Sequence, residues 1–185
     1  CVLTLALCCN LVPMAFAAGP GYYTVYFESQ GGVCDVLQLP AYKMGDVYRL
    51  TTIPTPVMDG YRFDGWYANR SPWNQTSNLG AKYDFGRNLA QNTTVYAHWT
   101  RLSNNIVYNA NGGTGSHANT SGYQYSNAAI PSGTSSSFKR VGYRFIGWNT
   151  QANGKGTSYK DGDQVPIGTS DVTLYAQWAA LISIM

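Results

Sequence analysis

Charge is scarce in this sequence: 12 Lys and Arg and 9 Asp and Glu among 185 residues, a net +3. Nucleic-acid binding draws on clustered basic side chains, and these few are scattered, so no nucleic-acid partner is expected. Histidine is rarer still, with His98 and His117 the only two, and neither sits in a recognised catalytic context. Of four cysteines, Cys1, Cys8 and Cys9 fall in the first nine residues, leaving Cys34 alone further on. One cysteine makes no internal disulfide framework, and zinc sites need Cys and His in clusters. No metal or cofactor is therefore expected, and Cys34 reads as a small buried apolar residue. Runs of Ala, Leu, Glu and Lys that would sustain a long helix are missing after residue 18.

What remains is aromatic and turn-rich. Fifteen Tyr, five Trp and twenty Gly, with many Asn, Ser and Thr, favour short strands joined by tight turns. Residues 1–17 differ: they carry no charge, Pro13 interrupts the apolar stretch, and Ala15-Phe16-Ala17 has the small-x-small form of a secretory cleavage signal. No Met or basic segment precedes them, so the expectation is a signal peptide truncated at its N-terminus, with the mature chain beginning at Ala18. The apolar run is short for a membrane span of ~20 residues. The mature chain is expected to carry no transmembrane span, to reside at the cell surface or outside the cell, and to end in a short tail over 179–185.

Self-similarity sets the architecture. Tyr23-Thr24-Val25-Tyr26-Phe27 followed by Gly31-Gly32 returns as Asn105-Ile106-Val107-Tyr108-Asn109 followed by Gly112-Gly113. Gly60-Tyr61-Arg62-Phe63-Asp64-Gly65-Trp66 returns as Gly142-Tyr143-Arg144-Phe145-Ile146-Gly147-Trp148. Thr94-Val95-Tyr96-Ala97-His98-Trp99 returns as Thr173-Leu174-Tyr175-Ala176-Gln177-Trp178. Three motifs in register predict two repeat domains, 23–100 and 104–178, joined at Arg101-Leu102-Ser103-Asn104. Each is long enough to hold a small core of its own.

Within a repeat, the Gly pair reads as a hairpin turn, since Asn111-Gly112 supplies the positive φ angles of a tight turn. Alternation in a regular strand sends Phe63 and Trp66 to opposite faces. Glycine within a strand marks bulges, so a bulge or kink is expected at Gly65 and at Gly147. In the last strand Val95, Ala97 and Trp99 share one face, and His98, replaced by Gln177 in the second copy, points outward. Burial of a ~200 Å² aromatic ring is worth up to about 5 kcal/mol. Trp66, Trp99, Trp148 and Trp178 are accordingly expected to build the fold.

The residues Asn109-Ala110-Asn111-Gly112-Gly113, Gly142 to Asn149, Gly154 to Asp163 and Leu174-Tyr175-Ala176-Gln177-Trp178 resemble the Listeria–Bacteroides repeat, also known as the internalin B-repeat. The likeness runs over nearly all of 23–178, with the first copy departing between Asn69 and Gly86. It implies a mostly β, α+β arrangement: two tandem β-grasp-like domains, each a small sheet curling around one short helix or helical turn. That helix would fall near Tyr42–Leu50 and Asn127–Ser132. The family implies no catalytic residues and a role as an adhesion, interaction or spacer module of surface proteins.

Candidate chemistry elsewhere is thin. Gly154-Lys155 lies in a glycine-rich segment, but a phosphate loop needs Gly where Asn149 stands and Ser or Thr where Gly156 stands. Asp161-Gly162-Asp163 lacks the further acidic ligands of a calcium loop and reads as a turn. Trp73, between Pro72 and Asn74, has no counterpart in the second copy. It is the candidate contact for a partner, either a host or cell-surface protein or, in the alternative of a carbohydrate-binding module, a glycan. The expected function is non-catalytic.

Overall fold

The computed structural model describes residues 22–70 and 80–182, so the expected signal segment 1–17 and Trp73 lie outside the described residues. The chain divides into two compact units, one of residues up to 59 with 63–100, the other of 60–62 with 101 onward. The regular secondary structure among the described residues is nearly all strand, as the Tyr-, Val- and Thr-rich motifs dictate. No helix among them is long and apolar enough to cross a membrane.

The first unit contains β1 (Tyr23–Glu28), β2 (Gln38–Met44), β3 (Val47–Arg49), β4 (Tyr61–Tyr67) and β5 (Thr93–Arg101), in the order β3-β2-β1-β5-β4. β1 and β2 are antiparallel, whereas β1 and β5 run parallel, with Val25 opposite Thr93 and Glu28 opposite Tyr96. Val25, Phe27, Trp66, Val95, Ala97 and Trp99 are buried.

The second unit contains β6 (Ser103–Asn109), β7 (Thr114–Gly115), β8 (Thr120–Tyr123), β9 (Ser126–Ala129), β10 (Phe138–Lys139), β11 (Tyr143–Asn149), β12 (Ser158–Tyr159), β13 (Gln164–Ile167) and β14 (Val172–Ala180). Its sheet has the order β12-β11-β14-β6-β8, and β7 with β10 and β9 with β13 form two-stranded ribbons. The central pair, β6 and β14, is again parallel. Ile106, Tyr108, Ile130, Phe138, Trp148, Val165, Ile167, Leu174 and Ala176 form its core. Only Leu102 separates β5 from β6, a narrower joint than the four residues expected.

Three local expectations are corrected. The helix near Tyr42–Leu50 is instead the β2–β3 hairpin, with Met44 opposite Val47 across Gly45 in the left-handed region (φ 64°). The one near Asn127–Ser132 is β9, and the only helical element among the described residues is a 3-10 turn at Thr134–Ser137. Pro131 and the left-handed Gly133 (φ 81°) break any longer helix. Thr134 and Ser136 hydroxyls bond the carbonyls of Pro131 and Gly133 three residues back, the competing local bonds that keep such residues out of helix interiors. The Gly-pair turn is tight as expected, with Asn111 at φ 47° and Gly112 at φ 81°, and Gly113 N–H bonds the Ala110 carbonyl. It is no hairpin, however: the chain leaving it forms β7, which pairs with β10 and not with β6.

The bulge lies where glycine stands. Between β11 and β14 the register steps from Phe145 opposite Trp178 to Gly147 opposite Gln177, leaving Ile146 as the extra residue. Gly147 has φ 147° and Gly65 φ 141°. The step turns Phe145 and Trp148 to the same side, their ring centroids 5.0 Å apart, and Phe63 and Trp66 likewise meet at 5.4 Å. A Cβ at Gly147 would also lie 3.1 Å from the Tyr159 carbonyl oxygen. Gly147→Ala is therefore expected to cost the second unit about 1–3 kcal/mol, read as a lowered urea midpoint for that unit's amide exchange.

Candidate functional site

Each buried or half-buried indole must find an acceptor for its N–H, because losing hydration without one is costly. Trp99 and Trp178 solve this identically. Trp99 Nε1 donates to the Ser29 carbonyl and Trp178 Nε1 to the Ala110 carbonyl, each at 2.9 Å. Their rings cover the second glycine of each pair: a Cβ on Gly32 would collide with Trp99 Cζ2, and one on Gly113 with Trp178 Cζ2. The glycine pair thus divides its labour. The first glycine supplies the turn's positive φ, and the second leaves room for the ring.

Trp66 and Trp148 solve it differently. Trp66 Nε1 donates to the Pro54 carbonyl at 2.9 Å, whereas Trp148 Nε1 donates to Asp161 Oδ1 at 3.0 Å. The other oxygen of Asp161 accepts from the amide and the hydroxyl of Ser135 at 2.9 and 2.6 Å. One carboxylate therefore ties the core tryptophan to the 3-10 turn. Burial works to raise the Asp161 carboxyl, but the bonds from Ser135, Trp148 and Gly133 outweigh it and hold the carboxyl below the usual aspartate range. Asp161-Gly162-Asp163 is a turn, as expected, with Asp163 N–H on the Lys160 carbonyl and Gly162 N–H on that of Ile130. The bridges Tyr67–Lys82 and Asn149–Ser158 place Phe85 at the corresponding position of the first unit. There the ring packs on Phe27 and Tyr83, and the indole turns to backbone instead.

Asn149, at the end of β11, is wholly buried and shapes the loop that failed as a phosphate cradle. Its Oδ1 accepts from the amides of Gln151 and Gly156, both at 2.9 Å, while Nδ2 faces the carbonyls of Gly154 and Gly156 and the Ser158 hydroxyl at 3.0–3.2 Å. The amides that would hold a phosphate are thus turned inward onto the protein's own side chain. Beside this loop an open groove of about 400 Å³ runs along the bulge, lined by Ile146, Trp148, Ser158, Tyr159, Lys160, Asp163 and Gln177 among others.

His98 corrects its expectation: it is only 5% exposed. Its Nδ1 lies 3.4 Å from Asp64 Oδ2, its ring stands edge-on to Tyr67, and Thr100 Oγ1 donates to the same carboxylate oxygen at 2.5 Å. Asp64 is the residue before the glycine of its strand, and Ile146 holds that place in the second copy, where Gln177 replaces His98. The two positions change together between the copies, and that joint change was the signal available in the sequence. Cys34 is half-buried, with its Sγ 3.0 Å from the Val36 carbonyl oxygen, rather than buried as expected. Among the described residues no three His, Cys, Asp or Glu side chains gather to hold a metal ion.

The Listeria-Bacteroides repeat domain matches this chain over residues 23–72, 71–98 and 105–177. A protein of Evansella cellulosilytica named "Putative membrane protein" is 31% identical over 162 residues, covering 85% of this chain and 22% of that protein. Another from the same organism, named "Putative Gly-rich membrane protein", is 32% identical over 126 residues, covering 64% of this chain and 14% of that protein. The chain thus spans about a fifth or less of the length of these relatives.

Because folding lowers the Asp161 carboxyl, its stabilisation is complete above the unfolded-state pKa of ~3.9 and is lost as pH falls through the lower folded value. Asp161→Asn is expected to cost the second unit about 1–2 kcal/mol at pH 7 and to flatten the acid limb of its stability. Urea unfolding from pH 2 to pH 7, followed by amide exchange in that unit, measures both effects.

Proposed function

This chain belongs to the Listeria-Bacteroides repeat domain family, and from that membership we propose that it is a pair of non-catalytic modules in a secreted or cell-envelope protein. Its role is that of a spacer and interaction unit. One observation supports this above others: the residues the two copies share, and the polar groups around them, are spent on internal bonds. All four shared indoles donate to a neighbouring oxygen, and among the described residues no buried side-chain nitrogen or oxygen lacks a hydrogen-bond partner. A catalytic centre keeps an acid, base or nucleophile aimed at a substrate. The histidine–carboxylate pair of the first copy, Asp64 and His98, gives way to Ile146 and Gln177 in the second, so the repeat does not depend on it.

Display outside the cytoplasm is supported by the uncharged residues 1–17 with their Ala15-Phe16-Ala17 signal and by the two relatives whose names assign them to a membrane. Partner contact falls to what differs between the copies, and Trp73 is the first candidate: an aromatic beside a proline, suited to a protein surface or a sugar ring.

In cells producing the full-length protein, the repeats are expected in the envelope or the medium and open to externally added protease. Recovery in the cytosol, protected from protease, would overturn the reading. Trp73→Ala is expected to weaken binding to the partner surface at least tenfold with the fold unchanged, measured by binding to intact cells and to a glycan array.

A further inference from the structure

In both units the first and last strands of the sheet are neighbours and run parallel. β1 pairs with β5 from Val25–Thr93 to Glu28–Tyr96, and β6 pairs with β14 from Ile106–Val172 to Asn109–Tyr175. Tension entering a unit at the start of its first strand and leaving at the end of its last pulls these strands in opposite directions along their own axes. All the bonds between them then share the load, whereas strands pulled apart from one end give up their bonds one at a time.

Side chains extend both ladders at both ends, at matching positions. Where the first strand begins, Asn92 Oδ1 accepts from Thr24 N–H at 2.9 Å, and Asp171 Oδ1 accepts from Asn105 N–H at 2.7 Å. Just past the other end, Gln30 Nε2 donates to the Ala97 carbonyl at 2.6 Å, and Asn111 Nδ2 donates to that of Ala176 at 2.9 Å. The Trp99 and Trp178 indoles add a further bond beside these, to Ser29 and Ala110. Val25, Phe27, Val95 and Ala97, and likewise Ile106, Tyr108, Leu174 and Ala176, are buried around the ladders, which keeps water from replacing bonds under load. The residue types differ between copies, Asn for Asp and Gln for Asn, yet each link recurs.

We infer that each unit is a tension clamp: its terminal strands, latched at both ends by side chains, hold the module folded when the protein is pulled between two anchorage points. The spacer reading supplies the source of tension, but the mechanical behaviour stands apart from it and is measured on the isolated full chain.

The test is single-molecule force spectroscopy. With handles at the two chain ends, two unfolding events of similar, high force are expected. With handles moved to Ser103→Cys and Ser170→Cys, native cysteines replaced by serine, the load peels β6 from β14 at one end, and the second unit is expected to open at a force several-fold lower. Asp171→Ala and Asn92→Ala, each removing one latch bond, pulled by the ends, should each raise the rate of one event about fivefold, the value of one hydrogen bond, and leave the other event unchanged. Equal forces in the two pulling geometries would overturn the clamp. So would variants that weaken equilibrium stability yet leave the rate of unfolding under end-to-end load unaltered. Cytosolic recovery of the full-length protein would remove the proposed surface role without touching these forces.

Discussion

An indole entering a small sheet brings two demands at once: a large ring to be covered and one N–H to be satisfied. Much of each unit is arranged around that pair of demands. The ring of Trp178 requires Gly113 to have no side chain, and its N–H requires the Ala110 carbonyl to be presented, so the turn after β6 is shaped from both sides by one residue at the end of β14. Trp148 requires a bulge so that Phe145 can reach it, and an acceptor, which draws Asp161 and with it the 3-10 turn. Four such rings, each bonded, account for the shared landmarks better than any common ligand site would.

The two copies show which features are geometric and which are chemical. Position 92 or 171 must offer an oxygen to the strand beside it, and Asn and Asp serve equally. Position 30 or 111 must turn left-handed and reach a carbonyl, and Gln and Asn both do so, at φ 50° and 47°. The acceptor for the core indole can be a carboxylate or a backbone carbonyl, provided the partner position is refilled, as Phe85 refills it in the first unit. Between the two copies the chemistry of these links varies while their position is held. That pattern fits a module valued for holding together.

Much of the fold was legible because periodicity and glycine report local conformation directly. Gly147 inside Phe145–Trp148 announced a bulge, since only an inserted residue brings both rings to one face. Asn111-Gly112 announced a tight turn through its positive φ angles. The path of the chain beyond that turn was not legible. β7 is two residues long and finds β10 more than twenty positions away, and no local pattern encodes a partner at that distance. The helix implied by family likeness was misplaced for a related reason. Val47, Tyr48 and the Ser- and Thr-rich 134–137 favour strands and local hydroxyl bonds over helix.

By itself the sequence determined a mostly β chain of repeated motifs, the bulge at Gly147 and the tryptophans that the folded sheets cover. These are written in composition and spacing, which depend on neighbours along the chain. Only the tertiary structure decided that first and last strands lie side by side in parallel, that Asp161 serves Trp148, that Asn149 fills its own loop, and that His98 turns inward to Asp64. Apart from Asn149, whose partners are near in sequence, these pair residues far apart along the chain that only the folded sheet brings together. Trp99 and Trp178 bond beside the paired terminal strands, and those strands set the direction in which the proposed clamp resists load.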